Sequence, residues 1–158
     1  MKVYGEGEWK VRTHGVGKRR TWWKLHLGVD SESSEILGAV VTTNDVADCE
    51  VLPHILEQID QPIEQVSGDG GYDTFGCYDT IAERGATATI PPRSNAKIQQ
   101  HPGNQAQPHP RDENLRYCNQ LGRKQWKQES GYHRRSLSET TMFRLKIIFG
   151  GKLRRRYA

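Results

Sequence analysis

The chain has no apolar run of about 18 residues, the length a membrane-spanning helix needs, and no signal-peptide pattern. Both absences point to a soluble protein. Cysteine is scarce. Cys49, Cys77 and Cys118 are scattered and odd in number, and no pair has zinc-finger spacing. They read as reduced thiols in a cytoplasmic protein. Apolar residues make up only 34% of 158, and the mean hydropathy is −0.81. The length suffices for one domain with a real core, or most of one, but the apolar supply is thin.

What the chain does have is positive charge. The net charge is +4 and the pI about 9.0. This favours an acidic partner such as nucleic acid, although the balance alone is a weak signal. The basic residues cluster at Lys18-Arg19-Arg20, at Arg134-Arg135, and at Lys152 with Arg154, Arg155 and Arg156. Such runs are more often solvated faces than binding sites.

Tyr132, Arg135, Glu139 and Lys146 follow one another at steps of three, four and seven. On a helix those steps keep four side chains on one stripe. A carboxylate there can hold a divalent metal, and flanking cations and a phenol can hold phosphates. The set suggests enzymatic work on a nucleic-acid backbone.

Hydrophobic periodicity gives an α/β order. Residues 1–20 read as a hairpin-like or loop region. Strands are predicted over 21–30 and 35–43, and a helix over 49–59 with Asp48 as its N-cap. A short strand over 62–67 ends at Gly68-Asp69-Gly70-Gly71. A helix over 74–84 is stopped by Gly85, and a strand over 86–90 is ended by Pro91-Pro92. Residues 93–116 are polar and read as loop-like or disordered, and 117–129 as helical. The last helix is predicted over 136–149, with Leu137, Thr141, Leu145 and Ile148 buried and Gly150-Gly151 ending it.

Several blocks carry a resemblance. They are Gly5-Glu6-Gly7-Glu8-Trp9, Lys24-Leu25-His26-Leu27-Gly28-Val29-Asp30, Gly68-Asp69-Gly70-Gly71-Tyr72-Asp73, Ile90-Pro91-Pro92-Arg93, Arg134-Arg135-Ser136, and Y-x2-R-x3-E-x6-K from Tyr132 to Lys146. In this order and spacing the chain resembles bacterial insertion-sequence DDE transposases of the Y-R-E-K branch, along its whole length. The resemblance implies an RNase H-like mixed sheet with flanking helices, here lacking its first strand. Residues 1–158 would then be a partial catalytic domain, truncated at both ends, with a polar loop-like insertion at about 93–130.

The resemblance also implies the site. Asp69 falls on the family's second catalytic Asp and Glu139 on its Glu; both would ligate metal. Tyr132, Arg135 and Lys146 would hold the DNA end. The cofactor implied is Mg²⁺ or Mn²⁺ in a two-metal site, incomplete here because the first catalytic Asp would lie upstream of Met1. The partners implied are DNA, as transposon ends and target, and a second copy or an intact transposase. The reaction implied is in-line phosphoryl transfer, by which transposon ends are cut and joined to target DNA, with this chain alone expected to be an inactive fragment for want of the first catalytic Asp. The alternative is a non-catalytic DNA-binding remnant that interferes with an intact transposase.

Each of these residues has a plainer reading. Asp69-Gly70-Gly71 is also turn chemistry. Ser136-Leu137-Ser138-Glu139 also fits a capping box, in which Glu139 bonds back to the helix start. Arg135 and Lys146 could simply pair with Glu139 on an exposed face, for about 0–1 kcal/mol. Asp30 is a tempting third carboxylate, but its strand runs the wrong way, so it reads as a turn residue before Ser31. His14, His26, His54 and His133 show no ligand spacing, and His26 reads as a strand residue. Trp126 either caps a minor apolar cluster or stacks on an unpaired base.

Overall fold

The structure, a computed structural model, describes residues 2–4, 22–98 and 108–149. The basic runs at 18–20 and 152–156, the block at 5–9, His14 and Gly150-Gly151 lie outside the described residues. The described elements fall into two compact units, residues 1–59 with 136–158, and residues 60–135.

The first unit is built on a three-stranded antiparallel sheet. Its strands are β1 (Lys2–Tyr4), β2 (Trp22–Val29) and β3 (Ile36–Thr43), in the order β1-β2-β3. β1 differs from the sequence expectation: a three-residue strand pairs with β2 on the side where no strand was expected, with Val3 opposite Trp23. Helix α1 (Asp48–Leu56) packs against β2 and β3. It buries Val51, Leu52, Ile55 and Leu56, the i, i+1, i+4, i+5 stripe of an amphipathic helix.

Two cross-strand partners, Gly28 and Gly38, set how closely α1 lies. A Cβ on Gly28 would stand 2.7 Å from Ile55 Cγ2, and one on Gly38 would stand 2.9 Å from the Ile55 carbonyl oxygen. The sheet is bare where the helix sits. Asp48 is the first helical residue and not the N-cap; Ala47 takes that place without a side-chain cap. The Asp48 carboxylate is engaged instead with Lys24 Nζ at 3.2 Å. A tertiary ion pair has displaced the local cap that the sequence suggested.

The unit's last helix, α5 (Ser136–Ile148, after the helices named below), packs against β2. Thr141 is buried and Leu137 and Leu145 are half-buried, as the periodicity predicts. Ile148 is not: it is 72% exposed.

The second unit is a βαβ arrangement extended by two helices. β4 (Gln65–Ser67) and β5 (Thr87–Thr89) pair in parallel, with Val66 opposite Ala88. Between them lies α2 (Phe75–Glu83). Its start is capped by the Thr74 hydroxyl, which accepts from Cys77 N at 3.2 Å, and Gly85 follows its end at φ +68°.

Residues 110–116 are helical where a loop was expected, and residues 117–129 are helical as expected: together they form α3 (Pro110–Leu121) and α4 (Arg123–Glu129). The polar composition hid an ordinary helix: Pro110 in the first turn, Asp112 and Glu113 beside it, and Gly122 at φ +78° after it. His109 caps α3 by accepting from Arg111 N at 3.1 Å. The helix buries Arg111, Leu115 and Cys118 at steps of four and three. Trp126 on α4 is 1% exposed, and its Nε1–H donates to Asn114 Oδ1 at 2.8 Å. It is a core residue, with no face for a base to stack on.

Candidate active site

Asp69 stands at the carboxyl end of β4, where ligands gather in α/β sheets. The chain turns there through a 3-10 segment, Gly70–Tyr72. Asp69 is exposed, and its Oδ1 accepts from Gly71 N at 2.7 Å. A Cβ on Gly71 would lie 2.8 Å from that oxygen, so glycine is needed for the carboxylate to fold back. The turn reading of Asp-Gly-Gly is therefore realised, and the carboxylate is presented to solvent at the same time.

Beneath this turn is a polar framework. The Arg93 guanidinium donates from Nε to the Gly70 carbonyl and from Nη2 to the Gly71 carbonyl, each at 2.8 Å. The Arg93 backbone N–H donates to Asp73 Oδ2 at 2.8 Å. Asp73 is buried and meets Arg111 through both oxygens: Nε lies 2.8 Å from Oδ1, and Nη2 donates to Oδ2 at 3.2 Å. The Arg111 guanidinium also lies 4.8 Å over the Phe75 ring. Such a two-pronged, charge-assisted fork fixes direction as well as distance. The order of support runs from α3 through Asp73 and Arg93 to the backbone carrying Asp69.

The sequence missed this framework. Arg93 and Asp73 lie in the quoted blocks, but nothing in their spacing showed that they meet. Arg111 fell in the segment read as loop.

The remaining candidates lie on two kinds of helix. Tyr132 and Arg135 belong to a 3-10 turn, Tyr132–Arg135, in the second unit, whereas Glu139 and Lys146 belong to α5 in the first. The single α-helical stripe of four is thus divided. Arg135 Nη1 donates to Tyr132 Oη at 3.3 Å. The Tyr132 ring also has Lys127 Nζ 5.3 Å from its centroid and Trp126 5.7 Å away, ring to ring. The phenol and guanidinium are thus joined by their own hydrogen bond, and the buried Trp126 backs the Tyr132 ring. Glu139 is exposed in the first turn of α5. Ser136 opens α5 directly after the 3-10 turn.

Asp30 is a turn residue. Its Oδ2 accepts from Ser33 N and Ser33 Oγ, each at 2.7 Å, and these bonds hold its pKa below the usual carboxylate value. His26 is buried and bonds Thr42 Oγ1 at 2.9 Å, across to the neighbouring strand.

Among the described residues, no three His, Cys, Asp or Glu side chains converge in a way that could hold a metal ion. The described residues do not by themselves make up the expected Mg²⁺ or Mn²⁺ site. Among the described residues no helix is long and apolar enough to cross a membrane.

No solved structure matches the chain. A family model described as the transposase DDE domain matches residues 1–158. Members of that family act on DNA and generally use divalent metals. With the match running the length of the chain, the protein belongs to the transposase DDE domain family.

Proposed function

We propose that the chain works in insertion-sequence transposition, in the phosphoryl transfer that cuts transposon ends and joins them to target DNA. The supporting observation is Asp69: an exposed carboxylate at the carboxyl end of a parallel strand, on a turn fixed by Arg93, Asp73 and Arg111. Fixed placement is what such a reaction asks of a protein, because most of its catalysis is positioning and electrostatics. Asp69 and Glu139 are the proposed catalytic carboxylates and the proposed metal ligands. Tyr132, Arg135 and Lys146 are the proposed contacts to the DNA backbone, with cations and a phenol facing phosphate oxygens. In the cut, a water oxygen bonds to phosphorus as the bond to the 3′ oxygen breaks; in the joining, the freed 3′-hydroxyl oxygen bonds to a target phosphorus as that strand's bond to its 3′ oxygen breaks. In each step the attacking oxygen gives up a proton and the leaving oxygen takes one up.

The second reading is a chain that binds DNA without cutting it and interferes with an intact transposase. It draws on the finding that, among the described residues, no three His, Cys, Asp or Glu side chains converge in a way that could hold a metal ion. Both readings require DNA binding. A labelled duplex titrated with the full chain should bind, and its affinity should fall steeply from roughly 50 to 200 mM salt through counterion release. No binding at the lowest salt removes DNA from both. A plasmid-nicking assay in Mg²⁺ or Mn²⁺ separates them. Metal-dependent nicking that Asp69→Asn abolishes supports the first reading; binding without nicking supports the second.

A further inference from the structure

A pocket of about 260 Å³ lies in the second unit, bordered by Pro92, Arg93, Ser94, Asn119, Gly122 and Arg123. It is smaller than the roughly 300–1,000 Å³ of a drug-sized ligand site, and of a size for a single small group. Two arginines, Arg93 and Arg123, are among its lining residues, and no Asp or Glu is.

Both cations are held by main-chain oxygens. Arg93 donates to the Gly70 and Gly71 carbonyls, and Arg123 Nη2 donates to the Pro92 carbonyl at 2.6 Å. Among the described residues, no carboxylate lies within ion-pair distance of either. The contrast within the same unit is sharp. Arg111 is paired with Asp73 and Asp112, and Arg116 with Glu113. A carbonyl orients a guanidinium without cancelling its charge. Two oriented, uncancelled cations on one small pocket repel each other until an anion enters, and planar forks match phosphate oxygens best.

We propose that this pocket binds a phosphate group of the DNA backbone, as a contact additional to Tyr132, Arg135 and Lys146. The inference rests on the DNA reading above and deepens it. Arg93 borders the pocket and also grips the turn carrying Asp69. A phosphate seated there is therefore tied to the candidate catalytic loop through one side chain.

The test uses the full chain and a labelled duplex, with binding measured over a range of salt. Arg123→Gln should weaken binding about equally for unrelated sequences, and lower the slope of log affinity against log salt by about 1. Arg123→Lys should keep the slope, and Arg116→Gln, which removes a like charge outside the pocket, should leave both unchanged. Inorganic phosphate titrated into the wild-type chain should shift the backbone amide signals of Ser94, Gly122 and Arg123. This second readout does not depend on how the variants fold. Wild-type binding that Arg123→Gln leaves unaltered, with no phosphate shifts, overturns the pocket and leaves the DNA reading standing. Phosphate shifts without DNA binding keep an anion pocket and sink the DNA reading. Neither signal overturns both.

Discussion

The two units solve the problem of a thin apolar supply in different ways. In the first, the buried apolar residues come from α1 and the chain just after it: Val51, Leu52, Ile55, Leu56 and Ile59. Meanwhile Val41, Phe143, Ile147 and Ile148 are each more than half exposed. In the second, Tyr78, Ile81, Ile90, Leu115 and Trp126 are buried around polar groups that are themselves bonded: Asp73 to Arg111, and Asn114 to Trp126, Tyr78 and Ile90. Apolar contact is non-directional, whereas hydrogen bonds and ion-pair forks set angles. The unit that carries Asp69 is the one whose interior is directional. The first unit gains position by close approach instead, through Gly28 and Gly38.

The largest effect expected from breaking this contrast is at Arg111. Arg111→Ala would leave Asp73 buried and charged without its partner. Removing one member of a buried pair costs about 3–5 kcal/mol, against a total stability of about 5–15 kcal/mol for a typical domain. Hydrogen exchange should show α2 and α3 losing protection while α1 keeps most of its own. Equal loss in α1 would mean that the two units unfold as one, and the contrast would be only one of composition.

Next is Gly38→Ala in the first unit. The new methyl would meet the Ile55 carbonyl oxygen at 2.9 Å and Ile55 Cγ2 at 3.2 Å. A backbone oxygen cannot swing aside, so the helix must lift, at a cost of about 1–3 kcal/mol. Gly76 is the control. It lies inside α2 with nothing within 4 Å of an added Cβ, so Gly76→Ala should raise stability by about 0.5–1 kcal/mol. Urea midpoints of the two variants should move in opposite directions. A neutral Gly38→Ala would show that α1 is not pinned to the sheet as argued.

The elements with a clean apolar period were legible in the sequence: β2, β3, α1, α2 and α5 all fall within a few residues of where periodicity puts them. So were Asp69 at a strand end and Asp30 as a turn residue. The start of α3, residues 110–116, was not, because its buried face includes Arg111 and Asp112, which no hydrophobic pattern flags. Its punctuation, Pro110 and Gly122, was readable and was outweighed by composition. Asp48 was read as a cap because the pairing with Lys24 depends on strand placement. The support of Asp69 was illegible for the same reason: Asp73, Arg93 and Arg111 are 20 and 38 residues apart and meet only in the fold. The placing of Tyr132 and Arg135 in a 3-10 turn could not come from spacings that fit an α-helix equally well.

A smaller effect is expected at Arg93. Lysine keeps the charge but cannot span two carbonyls with a planar fork. Arg93→Lys should release about one hydrogen bond, worth about 1 kcal/mol, confined to the Asp69 turn. The Gly71 amide, which donates to Asp69, should exchange faster while the urea midpoint of the second unit hardly moves. A matching fall in that midpoint would make Arg93 a general structural residue and not a support for the turn.

The smallest effect belongs to pH and tests the first unit alone. Burial lowers the pKa of His26 from its ordinary value of 6.5, the nearby charge of Asp48 pulls it back up, and Lys24 pushes it down again. The opposition between Asp48 and burial keeps the effect modest. Above pH 6.5 the ring is neutral in folded and unfolded chains, and His26 contributes no pH dependence. As pH falls through 6.5, the unfolded chain takes up a proton before the folded one does. Stability therefore drops with falling pH until the lower folded pKa is passed, and no further below it. His26→Gln removes the titration and keeps a polar group beside Thr42. The difference in urea midpoint between wild type and His26→Gln should shift against the wild type between pH 7.5 and pH 5. A pH-independent difference would mean that His26 is charged as readily in the folded sheet as in the unfolded chain, and that this face of the first unit is wetter than its burial suggests.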